Sequence, residues 1–133
     1  MPQWQNGPSL PEVRARSCAA SDSEVIFVIG GHNNKSLTSL ASGYFLKDGK
    51  WREMTSMTEA RKDHACLYIE LENDLDGILV TGGLGTEGQV LHSAEFYDIK
   101  AQKWTQVSSL KIPRTEHSMA LIYGIPTVIG GKV

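Results

Sequence analysis

Short apolar runs alternate with polar, glycine-rich turns along the whole chain. Val25-Ile26-Phe27-Val28-Ile29 is apolar at every position, which fits a strand covered on both faces. Ala41 to Leu46 and Trp51 to Met54 read as two more strands. Lys47-Asp48-Gly49-Lys50 between them carries the Asp-Gly signal of a hairpin turn. Arg14 to Ala20 reads as the strand that opens this group, with Ser21-Asp22-Ser23 as the turn after it. The order then recurs. The pattern predicts strands over His64 to Leu71, Ile78 to Thr81, Ser93 to Asp98 and Lys103 to Val107, then His117 to Tyr123 and Thr127 to Ile129. The class predicted is all-β.

The recurrence has a fixed metric. The glycine pairs Gly30-Gly31, Gly82-Gly83 and Gly130-Gly131 stand about 50 residues apart, the unit length of a repeat array. Trp4, Trp51 and Trp104 each precede an arginine by ten residues: Arg14, Arg61 and Arg114. Tyr44 and Tyr97 each precede their tryptophan by seven. Arg14 to Gly30 and Arg114 to Gly130 both span 16. The middle unit spans 21 from Arg61 to Gly82, and the surplus falls in the turn-rich stretch Glu72 to Gly77.

At these residues the chain resembles the kelch repeat: a double glycine, then Tyr and Trp, then a linker ending in arginine. Leu10-Pro11-Glu12-Val13-Arg14, Met57-Thr58-Glu59-Ala60-Arg61 and Leu110-Lys111-Ile112-Pro113-Arg114 are three copies of that linker. The resemblance covers essentially the whole chain and implies kelch-type β-propeller blades of four strands each. The units expected are 1–10, the last strand of a preceding blade; 11–57 and 58–110, two complete blades; and 111–133, the first two strands of a further blade. A whole kelch propeller of five to seven blades needs roughly 250 to 350 residues. The reading is therefore an incomplete propeller, from a truncated product or an incomplete gene model, that needs further blades or other chains to close.

Charge is nearly balanced, with 13 basic and 15 acidic residues, and no basic stripe points to nucleic acid or membrane. Cys18 and Cys66 make no disulfide framework and fit a reducing compartment. No signal peptide opens the sequence, and Val25–Ile29 is too short to cross a bilayer. A cytoplasmic location is expected. Asn34-Lys35-Ser36 spells a glycosylation sequon, which carries little weight without a secretory signal.

Several motifs invite a chemical reading. Gly83-Leu84-Gly85-Thr86-Glu87-Gly88 spells G-x-G-x-x-G, but a dinucleotide site needs a following helix, and Val90 to Asp98 reads as a strand. Asp63-His64 and Glu116-His117 look like acid–imidazole pairs, yet neighbours on a strand point to opposite faces. The four histidines, His32 and His92 included, lack metal-ligand spacing. No catalytic residue, metal or cofactor is expected. Tyr44, Tyr97, Trp51 and Trp104 read as packing between blades. The repeat arginines read as donors to backbone carbonyls between blades.

Binding positions are sought where the repeat is broken. Loops joining the second to third strands, and the fourth strand to the next blade, share one face of a propeller. In kelch domains that act as substrate receptors, peptides are held there. The matching positions are His32, Asn33, Leu84 and Gly85 after the glycine pairs, and Arg16, Asp63 and Glu116 two residues after the repeat arginines. The resemblance implies a non-enzymatic protein-interaction module, first as a substrate-recognition adaptor of a cullin-type ubiquitin ligase. It also admits an actin-binding protein, or part of a kelch-fold oxidase or sugar isomerase. The expected partner is a substrate peptide or a cytoskeletal protein.

Overall fold

The computed structural model describes all 133 residues. It holds ten strands and no helix. Strands β1 (Cys18–Ser21), β2 (Ile26–Ile29), β3 (Gly43–Lys47) and β4 (Lys50–Met54) form one antiparallel sheet in sequence order. Strands β5 (Ala65–Glu70), β6 (Asp76–Thr81), β7 (Ala94–Asp98) and β8 (Lys103–Val107) form a second. The hairpin β9 (Ser118–Ile122) and β10 (Ile125–Ile129) follows. The all-β, four-stranded blades expected from the repeat are therefore present. Strand β5 packs against both β1 and β9, so the first strands of successive units lie side by side.

The first strand of each unit starts later than the apolar pattern suggested. Arg16, Asp63 and Glu116 have φ of 61°, 53° and 58°. A left-handed residue cannot continue an extended ladder, so β1 begins only at Cys18. Residues Met1–Leu10 form no strand, and Trp4 is 100% exposed. The fourth-strand spacing of Trp4 is real, but within this chain no third strand lies beside it to supply a hydrogen-bonding partner.

The core lies between the two sheets. Phe27 and Ile29 of β2, with Met54 and Met57, meet Ile78 and Val80 of β6 and Tyr97 of β7. Ile78 and Val80 are fully buried. The near-continuous apolar sequence of β6 matches its cover on both faces, whereas β2 buries only the Phe27–Ile29 face and leaves Ile26 exposed on the other.

Three sequence expectations change. Tyr44 and Tyr97 are not equivalent. Val28 pairs with Tyr44 and Val80 with Glu95, so Tyr44 occupies the place of Glu95. Leu46, opposite Trp51, occupies the place of Tyr97, opposite Trp104. The hairpin after β7 is two residues longer than the Asp48-Gly49 turn, and the equal seven-residue spacings hide that shift. Second, the repeat arginines donate within their own blade. Arg14 Nη1 reaches the carbonyls of Gly30 and Ser42 at 2.9 Å, and Arg61 Nη1 those of Gly82 and Ser93 at 2.9 and 3.1 Å. It is their backbone carbonyls that bridge blades: Gly31 N–H donates to Arg61, and Gly83 N–H to Arg114, each at 2.9 Å. Third, Cys18 and Cys66 form a disulfide between β1 and β5, with Cα atoms 5.9 Å apart. They are separated by 48 residues in sequence, and only the stacking of blades brings them together.

The glycine pair shows why the repeat needs it. Gly30 has φ of 71°, and a Cβ there would stand 2.6 Å from both the Arg61 carbonyl and the His64 ring. Gly82 repeats the arrangement against Arg114 and His117. A side chain at either position would force the next blade away.

Candidate partner-binding rim

Each unit enters its first strand by the same short device. The residue after the repeat arginine forms an isolated bridge with the residue two after the first glycine: Ala15 with His32, Lys62 with Leu84, and Thr115 with Lys132. Both hydrogen bonds of each bridge lie between 2.7 and 3.1 Å. The left-handed residue follows. Its N–H donates to the equivalent carbonyl of the preceding unit, Asp63 to Arg16 at 2.9 Å and Glu116 to Asp63 at 2.8 Å. These bonds place Arg16, Asp63 and Glu116 in one continuous arc.

The arc carries charge pairs. Arg16 Nε donates to Asp63 Oδ1 at 2.9 Å, and a second guanidinium nitrogen contacts Oδ2, making a two-pronged ion pair. The hydrogen bond from Arg16 holds the Asp63 carboxyl below its usual range and raises the Arg16 guanidinium in return. Lys132 Nζ lies 2.8 Å from Glu116 Oε2. Arg16 and Glu116 are exposed and Asp63 is half-buried. Thr115 Oγ1 donates to the Asp63 carbonyl at 3.2 Å and fixes that stretch of backbone.

The other predicted positions are held differently. His32 contributes its backbone to the bridge with Ala15 and is half-buried. Asn33 is committed to its own loop: Oδ1 accepts from Lys35 and Ser36 N–H at 3.1 and 2.8 Å, and Nδ2 donates to Glu12 at 3.2 Å. Leu84 and Gly85 present carbonyls to the Ser39 hydroxyl at 2.7 and 3.1 Å. The structure therefore gathers Arg16, Asp63 and Glu116, while Asn33, Leu84 and Gly85 serve loop-to-loop packing. Sequence reasoning missed Lys132 and Lys62. Lys132 sits in the same repeat position as His32 and Leu84, so the register could have found it. Lys62 donates to the Leu37 carbonyl at 2.8 Å, a contact that no spacing announces.

The acid–imidazole pairs separate, because Asp63 and Glu116 turn outward in left-handed backbone just before their strands. Asp63 points to Arg16, whereas His64 is buried against Gly30. Burial, reinforced by the charge of Arg61, pushes the His64 imidazole down to about 3. His117 is lowered for the same reason, with Arg114 adding to it, and its Nε2 lies 2.9 Å from Thr81 Oγ1. Both rings are packing groups under the glycines of the neighbouring blade. Gly83 to Gly88 forms a turn in which Gly85 N–H donates to the Gln89 carbonyl at 2.9 Å, and β7 follows instead of a helix. No three His, Cys, Asp or Glu side chains gather as a metal site. No helix is long and apolar enough to cross a membrane.

No family model matches the chain. Among curated proteins it is 28% identical over 145 residues to Kelch-like protein 34 of Homo sapiens, covering 98% of this chain and 21% of that protein. It is 36% identical over 118 residues to an F-box/kelch-repeat protein of Arabidopsis thaliana, covering 87% of this chain and 27% of that protein. Alpha-scruin of Limulus polyphemus is 24% identical over 136 residues, with 97% of this chain and 14% of that protein covered. The chain thus spans between 14 and 27% of the length of these relatives.

Proposed function

We propose that this chain, which belongs to the kelch-repeat family, is a non-enzymatic module that presents the Arg16–Asp63–Glu116 arc to a protein partner. The observation that carries the reading is the backbone relay through Arg16, Asp63 and Glu116. It fixes three exposed or half-exposed charged residues at identical repeat positions on a rigid scaffold, the arrangement expected of a recognition surface. The side chains differ in charge while the backbone does not, so the arc can select a partner without altering the fold.

Within that reading, the protein that carries the chain acts in the cytoplasm as the substrate-recognition subunit of a cullin-type ubiquitin ligase. Likeness to Kelch-like and F-box/kelch-repeat proteins supports this. Likeness to alpha-scruin supports the cytoskeletal alternative more weakly, at lower identity. The test uses the full protein, wild type and Asp63→Lys. Affinity capture is probed for a cullin scaffold, and sedimentation with filamentous actin is measured in parallel. A cullin retained by both forms, with partners lost only from Asp63→Lys, is the expected result. Actin co-sedimentation without a cullin selects the alternative. Partners unchanged by Asp63→Lys would remove the arc from the site.

A further inference from the structure

We propose that Cys18 and Cys66 act as a reversible redox clamp between the first two blades. Cys18 opens β1 and Cys66 is the second residue of β5. These strands belong to different sheets and share no ladder, so the contact between them is made of side chains. The thiols meet there, with Cα atoms 5.9 Å apart, inside the range a disulfide requires. Both residues are half-buried at the edge of the inter-blade core. That environment shields the bond yet leaves a path for a small thiol.

The segments they tie carry the arc. Arg16 stands two residues before Cys18, and Asp63 three before Cys66. Closing the bond fixes the two blades at the place where their ion pair forms. The clamp goes beyond the binding reading and does not depend on it.

The chemistry is thiol–disulfide exchange with a low-molecular-weight disulfide such as oxidised glutathione. One cysteine thiolate attacks a glutathione sulfur, its S–S bond breaks, and one reduced glutathione leaves. The second thiolate attacks the mixed disulfide at the protein sulfur and expels the other glutathione. Two protein thiols are oxidised, one glutathione disulfide is reduced to two thiols, and the two thiol protons end on the released glutathiones. Excess reduced glutathione runs the sequence backwards.

The test equilibrates the full native chain in glutathione buffers of graded ratio, quenches with acid, alkylates free thiols and reads the intact mass. Both alkylation sites should disappear together as the oxidised fraction rises and return on reduction. Peptide mapping should join the Cys18 and Cys66 peptides within one chain. The oxidised chain should melt more than about 5 °C above the reduced chain, because the closed loop is long. That difference should vanish in Cys18→Ser. Two reactive thiols in the folded chain at every ratio would overturn the proposal. So would a link found only between chains, or equal melting of both redox states. The wild-type chain read in its two states decides the matter even where the variant fails to fold.

Discussion

The two complete blades solve one problem by different chemistry. Each buries its repeat arginine fully, and each spends one guanidinium nitrogen on the same pair of backbone carbonyls. In the second blade the charge is met by Glu95, itself fully buried and 3.2 Å from Arg61. Glu95 also accepts from Thr58 N–H at 2.8 Å and Glu59 N–H at 3.2 Å, so its carboxylate is well supplied with donors. In the first blade the equivalent position is Tyr44, whose ring lies 5.1 Å from the Arg14 guanidinium carbon. Pro11 stands there in the place of Thr58 and has no N–H to give. A carboxylate at Tyr44 would lack a donor that Glu95 enjoys, whereas an aromatic face needs none. The repeat therefore keeps burial of an arginine over two carbonyls, with a linker glutamate beside it in both blades (Glu12 at 3.6 Å and Glu59 at 3.4 Å), and varies only the second partner with local backbone chemistry.

The largest expected effect tests that contrast. Glu95→Gln removes the fully buried counter-charge of Arg61 and leaves only the more exposed Glu59, 3.4 Å away; it should cost about 3 kcal/mol in urea denaturation. Tyr44→Phe keeps the ring over Arg14 and should cost less than about 1 kcal/mol. Equal losses would dissolve the distinction between the blades.

Next come the tryptophans. Trp104 packs on Tyr97 with ring centroids 5.0 Å apart, and its Nε1 donates to the Thr55 carbonyl at 2.8 Å, which ties the second blade to the first. Trp51 faces Leu46 and donates to Pro8, in a segment outside any strand. Trp104→Ala should cost about 3 kcal/mol and Trp51→Ala about half of that. A negligible shift in the denaturation midpoint for Trp104→Ala would remove it from the inter-blade contact.

The buried histidines differ too. His64 has no hydrogen-bond partner on either ring nitrogen, while His117 meets Thr81. With the folded His64 lowered to about 3, only the unfolded chain takes up that proton as pH falls below about 6.5. Its share of stability is thus present at neutral pH and is lost as pH drops towards 3, by about 3 kcal/mol near pH 4.5. His64→Leu should flatten that limb of the stability–pH curve. An unchanged curve would show that His64 is not its source. The smallest effect belongs to the rim: Arg16→Ala should change stability by less than about 1 kcal/mol, and a larger loss would make the arc a structural element.

The repeat made most of the fold legible, because glycine pairs, tryptophans and arginines answer to backbone geometry that recurs. The register misreading has a plain cause. Spacing compares a chain with itself and cannot register an insertion in one loop that is offset by a deletion in another. Hence spacing matches Tyr44 to Tyr97, whereas its place is that of Glu95. The arc was legible as three positions two residues after an arginine. That Ser39 takes up the carbonyls of Leu84 and Gly85 was not, because those hydrogen bonds join residues 45 and 46 apart in sequence.

The sequence by itself determined the all-β class, the repeat unit, the strand order and the positions of the glycine pairs. These follow from local sterics and from patterning with a short period. The tertiary structure alone decided which carboxylate or ring meets each arginine, which charges pair on the rim, and that Cys18 meets Cys66. Those contacts form between blades or across ladders, where proximity is set by the stacking of sheets and not by distance along the chain.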